Sequence, residues 1–322
     1  MKPFSYLRPE SAHDAVAALS NADASALGGG TDLLVTMKEG LATPSQLVDV
    51  RHVRGARDIT VGADGSVRLG GAVRIADLAA HPVILEKFSA LAEAARLVGT
   101  PALRNMGTIA GNLCQRPRCW YFRRGVPCLK NSGSGCAAVD GENQYHAILG
   151  GGPCHAVHPS DPAVALTALE ATVEILGAHD TRRSVPIADF FVGAASNPHG
   201  ETVLAHTDLI EAIVLPARAA GGAQRYEKLM QRGAWDFALV SIAGAKRADG
   251  EVRLVLGGVA PHPYRVNQSV EEDVASGELD VESADALAER ALYDAAPLAM
   301  NAYKSAQAAA LLKRAMLELS RA

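Results

Sequence analysis

The chain has 322 residues, is 48% hydrophobic and carries a formal net charge of −4 with both signs interspersed. That is enough apolar material for a large core spread over two or more domains, and it excludes the basic footprint of a nucleic-acid binder. The longest apolar runs, such as 163–169, are too short to cross a bilayer, so no membrane span is expected.

The N-terminus, Met1-Lys2-Pro3-Phe4-Ser5-Tyr6-Leu7-Arg8, lacks an apolar signal-peptide core. The chain is expected in the cytoplasm, or in the periplasm if a signal-bearing partner exports it folded. Strand and helix signals then alternate: a strand at Phe4–Leu7, a serine-capped helix at Ser11–Leu19, a strand at Ala24–Leu27, a helical turn at Leu33–Lys38 and a strand at Gln46–Val50. A hairpin follows, Ile59–Val61 and Val67–Leu69 around Ala63-Asp64-Gly65-Ser66. Ile84, Phe88, Leu91 and Ala95 at helical spacing predict one helix over Val83–Val98.

Residues 114–157 break the pattern, being rich in glycine, proline, cysteine and basic residues. A loop of that length inside a compact domain is uncommon unless it is functional. Pattern resumes at Pro159-Ser160-Asp161-Pro162, where Ser160 or Asp161 caps a helix over Ala163–Glu170, and Thr172–Leu176 is a strand. Pro216 and Gly221-Gly222 mark a boundary near 216–222. Beyond it lie strands at Arg225–Gln231, Ala238–Arg247 and Val252–Val259, then helices near Ala284–Ala295 and Ala302–Leu319.

Two glycine turns stand out, Leu27-Gly28-Gly29-Gly30-Thr31-Asp32-Leu33-Leu34 and Gly107-Thr108-Ile109-Ala110-Gly111-Asn112. Glycines let the backbone approach a phosphate closely. Each alone is weak, since neither is a Rossmann fingerprint, but the pair suggests a shared nucleotide diphosphate.

Five cysteines form an odd set in a chain without a secretion signal, which points away from disulfides and toward metal or redox chemistry. Cys119, Cys128, Cys136 and Cys154, spaced C-x8-C-x7-C-x17-C, match the ligand count of one [4Fe–4S] cluster. Structural zinc is the alternative, although its cysteines usually come in short pairs and only Cys114 and Cys119 stand that close. His146, His155 and His158 lie nearby as less favoured ligands. Arg116, Arg118, Arg123, Arg124 and Lys130 are either a solvated loop face or an offset to cluster charge.

The two glycine turns, with His158-Pro159-Ser160-Asp161-Pro162, Tyr226-Glu227-Lys228 and Phe237-Ala238-Leu239-Val240, resemble the FAD-binding subunit of the molybdenum hydroxylases, the xanthine dehydrogenase family. The cysteine insertion resembles the branch with the flavoprotein subunits of periplasmic aldehyde oxidoreductase and 4-hydroxybenzoyl-CoA reductase. Gln115-Arg116-Pro117-Arg118-Cys119 and Gly133-Ser134-Gly135-Cys136-Ala137-Ala138 are more similar to the aldehyde type.

The resemblance implies an α+β chain. Residues 1–218 would form an FAD-binding PCMH-type (vanillyl-alcohol-oxidase-like) domain, with subdomains 1–55 and 56–218 and the iron–sulfur loop 114–157 inserted. Residues 222–322 would form a C-terminal α/β domain of CO dehydrogenase flavoprotein type. It implies that Leu27 through Leu34 and Thr108 through Asn112 hold the FAD diphosphate by backbone amides and the Thr31 and Thr108 hydroxyls. Asp161 would contact the flavin or ribityl chain, and Val98, Ile210 and Lys228 would line the flavin. Cys119, Cys128, Cys136 and Cys154 would ligate the cluster, leaving Cys114 outside.

No second cysteine set and no molybdopterin site are visible, so molybdopterin and [2Fe–2S] clusters are expected on partners, a large molybdenum subunit and a small iron–sulfur subunit. Electrons would leave to an external acceptor such as ferredoxin, quinone or oxygen. No catalytic acid or base is nominated. The other readings are an aromatic acyl-CoA reductase subunit, a stand-alone flavoenzyme and a non-redox scaffold with a zinc loop.

Overall fold

The structure is a computed structural model that describes residues 1–322. Its strands fall into three sheets that follow one another along the chain. The first is parallel, in the order β1 (Ser5–Leu7), β3 (Gln46–Asp49), β2 (Ala24–Leu27). Its connections are the helices Ala12–Leu19 and Leu33–Lys38. Ser11 caps the former by accepting from the Asp14 amide at 3.1 Å, as the serine signal predicts.

The second sheet is antiparallel. It comprises β4 (Ile59–Val61), β5 (Val67–Gly70), β6 (Thr172–Leu176), β7 (Arg182–Pro186) and β8 (Leu209–Leu215), ordered β4-β5-β8-β6-β7. Helix Ala12–Leu19 joins the two sheets, because Ala15, Val16 and Leu19 share a core with Val48, Leu176 and Leu209.

The predicted helix over Val83–Val98 is two helices, Pro82–Lys87 and Ser89–Arg96, broken at Phe88 (φ −135°, ψ 51°). Phe88 is fully buried, and Ile84, Leu91 and Ala95 still face the same core. Helical spacing reports which residues are buried, and burial survives a change of axis. Truncating Phe88 to alanine would cost about 3–5 kcal/mol.

The third sheet is antiparallel, ordered β12-β11-β10-β9, from β9 (Ala223–Leu229), β10 (Val240–Lys246), β11 (Val252–Gly257) and β12 (Tyr264–Arg265). It is covered on both faces. Val240 and Ile242 share a core with Leu311, Leu312, Met316 and Leu319 of helix Tyr303–Arg321, whereas Ala243 and Ala245 face the core of the second sheet. Helices Gln268–Ala275 and Val281–Ala291 complete the outer layer.

Helix Asp161–Ala168 sits between the second and third sheets, with every residue buried. An all-round apolar helix belongs in such a position. Ser160 caps it, accepting from the Ala163 amide at 3.1 Å, and Pro162 occupies its first turn. Residues 114–157 hold one short helix, Trp120–Arg123, and no strand. No helix is long and apolar enough to cross a membrane.

Candidate functional site

The two glycine turns meet backbone to backbone. A Cβ on Gly29 would lie 1.9 Å from the Met106 carbonyl oxygen, and one on Gly28 would lie 2.6 Å from Thr108 Oγ1. Gly30 takes φ +72°, which L side chains rarely adopt. The contact requires glycine at these positions, and it leaves a groove along the joined turns.

The groove has three connected sections that share Thr108 and Gly111. The first is the most apolar, with Val50, Ala72, Ala110, Leu204 and Ile210 in its wall. The middle section is lined by Gly28 to Leu33. The third runs past Val98, Gly99, Asn112, Asp161, Trp235 and Phe237. An apolar section, a glycine-lined middle and a third section beyond it suit a long dinucleotide with a ring at each end.

Several predicted positions sit differently from the expectation. Ile210 lines the first section and Val98 the third, so they do not face the same end of a ligand. Leu27 and Ile109 are buried, so these two turn residues present only backbone, while Leu34 is half-buried beside Leu27. Thr108 Oγ1 accepts from the Gly111 amide at 3.2 Å, which caps the short helix Ile109–Leu113 and leaves its hydroxyl proton to donate.

Lys228 does not line the groove. Its ammonium lies 2.8 Å from Asp161 Oδ2 and donates to the Leu97 carbonyl at 3.2 Å, while Tyr226 donates to Asp161 Oδ1 at 2.6 Å. Both members of the ion pair are buried. Burial pushes the Asp161 carboxyl up, and Lys228 and Tyr226 oppose that shift. Lys228 therefore reaches the groove only through Asp161, and the pair locks β9 to the helix at the groove's third section.

Asp32 belongs to the first turn, yet its carboxylate points to the cysteine loop. It accepts from the Arg116 amide at 2.8 Å and from Arg123 at 2.7 Å, and it pairs with Arg118 at 3.0 Å. Glu201 takes Arg116 at 2.8 Å and Lys130 at 2.7 Å. Arg116, Arg118, Arg123 and Lys130 are thus paired rather than a solvated face. Lys130 also lines the cysteine pocket and its charge pulls the Cys154 thiol down, and Arg124 alone of the five is exposed. Through Asp32 the paired residues tie the loop to the groove, and through Glu201 to the segment beyond it.

Cys119, Cys128, Cys136 and Cys154 line one small pocket with Tyr121, Phe122 and Ala138. Cys128 and Cys154 are buried; Cys119 and Cys136 are half-buried. Burial pushes the Cys119 thiol up to about 11, while the Phe122 and Tyr121 amides pull it back, and Cys154 shifts up for the same reason. Cys114 is elsewhere, on the exposed floor of the groove. No three His, Cys, Asp or Glu side chains form a group that could hold a metal ion.

His158 is no ligand: it is neutral, pushed down to about 4 by burial, contacts the Leu113 carbonyl at 3.2 Å and stacks edge-on to Phe191. His146 does reach the cage, with Nε2 3.3 Å from Cys119 Sγ. Sequence reasoning missed what grips this segment from the C-terminal side. Lys304, fully buried, donates to the carbonyls of Tyr145, His146 and Gly258 at 2.7–3.1 Å, and Asn301 donates to those of His146 and Ala147. A signal was present, since Lys304 lies on the helix face of Ala308, Leu311, Leu312 and Ala315.

Comparison with known proteins fits this geometry. Residues 2–218 match the family model described as the FAD binding domain in molybdopterin dehydrogenase, and residues 200–319 match the CO dehydrogenase flavoprotein C-terminal domain. The chain is 39% identical to the aldehyde oxidoreductase FAD-binding subunit PaoB of Escherichia coli (strain K12), over 94% of each chain. It is 28% identical to the carbon monoxide dehydrogenase medium chain of Hydrogenophaga pseudoflava, over 97% of this chain and 96% of that one. A solved structure of carbon monoxide dehydrogenase from Hydrogenophaga pseudoflava superposes with a TM-score of 0.76, covering 99% of this chain and 98% of that chain at 28% identity.

Proposed function

The chain belongs to the family of FAD-binding subunits of the molybdenum hydroxylases, and from that premise we propose that it is the FAD and [4Fe–4S] electron-transfer subunit of an aldehyde-oxidising complex. Electrons would come from a molybdenum subunit through a small [2Fe–2S] subunit and leave to an external acceptor such as ferredoxin, quinone or oxygen. Aldehyde as substrate class is supported by the 39% identity to PaoB. The observation that carries the proposal is the joint one: a dinucleotide-shaped groove and a four-cysteine pocket tied together through Asp32.

FAD supplies reversible two-electron chemistry when bound. The chain's part is to place it. The Gly28–Gly30 backbone and the Thr31 and Thr108 hydroxyls would hold the diphosphate, and Val98 and Asp161 would border the ring in the third section. No free acid or base stands there. Asp161 is held by Lys228, Asp236 by Arg232 and Asp32 by Arg118 and Arg123. A third section without an unpaired carboxylate supports a relay over a stand-alone flavoenzyme.

The cysteine donor set fits an iron–sulfur cluster better than zinc. Zinc sites usually take their cysteines in short pairs, and no gap among these four is that short. Here all four cysteines border one pocket. Four cysteines on one pocket match the ligand count of a [4Fe–4S] cluster, and thiolate is its preferred ligand. Cys119, Cys128, Cys136 and Cys154 would hold it.

The test is turnover. The chain purified with its partners should show a flavin band that bleaches when an aldehyde is added anaerobically. The chain alone should bind FAD and leave aldehyde untouched. Aldehyde oxidation by the isolated chain would refute the relay.

A further inference from the structure

Among side-chain partners, His146 alone reaches a sulfur of the cysteine pocket, that of Cys119. The ring is 3% exposed and boxed by Trp120 and Tyr121, with centroids 6.2 and 6.1 Å away. Its backbone is pinned as firmly. The His146 amide donates to the Asn143 carbonyl at 3.0 Å, and its carbonyl accepts from Asn301 at 3.0 Å and Lys304 at 3.1 Å. Nδ1 is buried without a partner, so the ring's one polar contact is the sulfur.

A free Cys119 thiol can give or take the shared proton. A cysteine that ligates iron is a thiolate and has none to give. The 3.3 Å contact can then persist only as Nε2–H donating to Sγ, with Nδ1 left as a bare lone pair. An unpaired acceptor is cheaper to bury than an unpaired donor, so this tautomer also suits the site.

We propose that His146 is a positioning residue for the cluster: it donates a hydrogen bond to the Cys119 thiolate, fixes that ligand and raises the cluster's reduction potential. The inference rests on the [4Fe–4S] reading above. Reduction adds negative charge to the cluster, and a donor aimed at a ligand sulfur stabilises that charge, as hydrogen bonds to sulfur do in such centres generally. The bland alternative is a ring that merely fills space between Trp120 and Tyr121.

Phenylalanine keeps that filling and removes the donor, and glutamine keeps a donor. In the assembled complex, an EPR-monitored redox titration of His146→Phe should give a cluster potential below wild type, with iron content and flavin potential unchanged. His146→Gln should fall between the two. An unmoved potential in an iron-replete His146→Phe complex overturns the proposal. Should that variant lose its cluster, pulsed EPR of reduced wild type with 15N-labelled histidine, compared with His146→Gln, decides. A histidine nitrogen coupling that His146→Gln lacks supports the hydrogen bond, and its absence from wild type overturns it. Wild type without iron would instead defeat the cluster reading itself.

Discussion

The groove and the cysteine pocket lie side by side and are built by opposite means. The groove is made of backbone from regular elements: two glycine turns, each between a strand or helix and the next, pressed together where Gly29 meets Met106. The cysteine loop has one short helix. Its order comes from side chains outside it, Asp32 and Glu201 on one flank and Asn301 and Lys304 on the other. A backbone-built site tolerates changes of side-chain chemistry but no added volume at its glycines. A side-chain-built site tolerates neither loss of charge nor loss of donors.

Substitutions that exchange those sensitivities break the comparison most sharply. Gly29→Ala drives a Cβ into the Met106 carbonyl and should have the largest effect, at least about 2–3 kcal/mol of stability together with loss of bound FAD. Flavin content after gel filtration and a thermal melt read both. Asp32→Asn keeps the turn's shape and removes the charge that Arg118 and Arg123 share, at a cost of about 2 kcal/mol for so sheltered a network. Hydrogen exchange should rise across 115–131 while FAD stays bound; equal loosening of both regions would erase the distinction.

Lys304→Met strips the Tyr145 and Gly258 carbonyls of their side-chain donor, leaves His146 with Asn301 alone, and should cost about 2 kcal/mol, with exchange rising across 143–148. It also carries a pH signature. Burial pushes the Lys304 ammonium down to about 7 from 10.5, so between those values the unfolded chain binds the extra proton. This residue's contribution therefore makes stability rise with pH from about 7 toward 10.5, and it is lost as pH falls back through 7. The wild-type stability curve should lose that slope in Lys304→Met; an unchanged slope assigns it to other groups. Cys114→Ser should do least, leaving iron content intact and stability within about 0.5 kcal/mol.

The same contrast explains what was legible in the sequence. Ser11, Ser160 and Pro162 announce their helices because a cap is a local event, and both glycine turns are visible for the same reason. The break at Phe88 was hidden, since periodicity reads burial alone. β7, reading Arg-Arg-Ser-Val-Pro at a sheet edge, has too little apolar pattern to register, and β8 is placed by pairing with β5 and β6, far off in sequence. The four-cysteine set was plain from residue type. Asp32 as the loop's anchor and Lys304 as its clamp were not, because each acts on residues 84 or more positions away or through a fold the local pattern does not encode.

The central claim is that one polypeptide holds a flavin and an iron–sulfur cluster as separable neighbours. Flavin and metal analysis of the assembled complex, wild type beside Cys136→Ala, tests it most directly. The account predicts one FAD and about four irons on the wild-type chain, beyond those of its partners, with the irons lost and the FAD kept in the variant. Zinc in place of iron on the wild-type cysteines, or loss of FAD together with the metal in the variant, would contradict it.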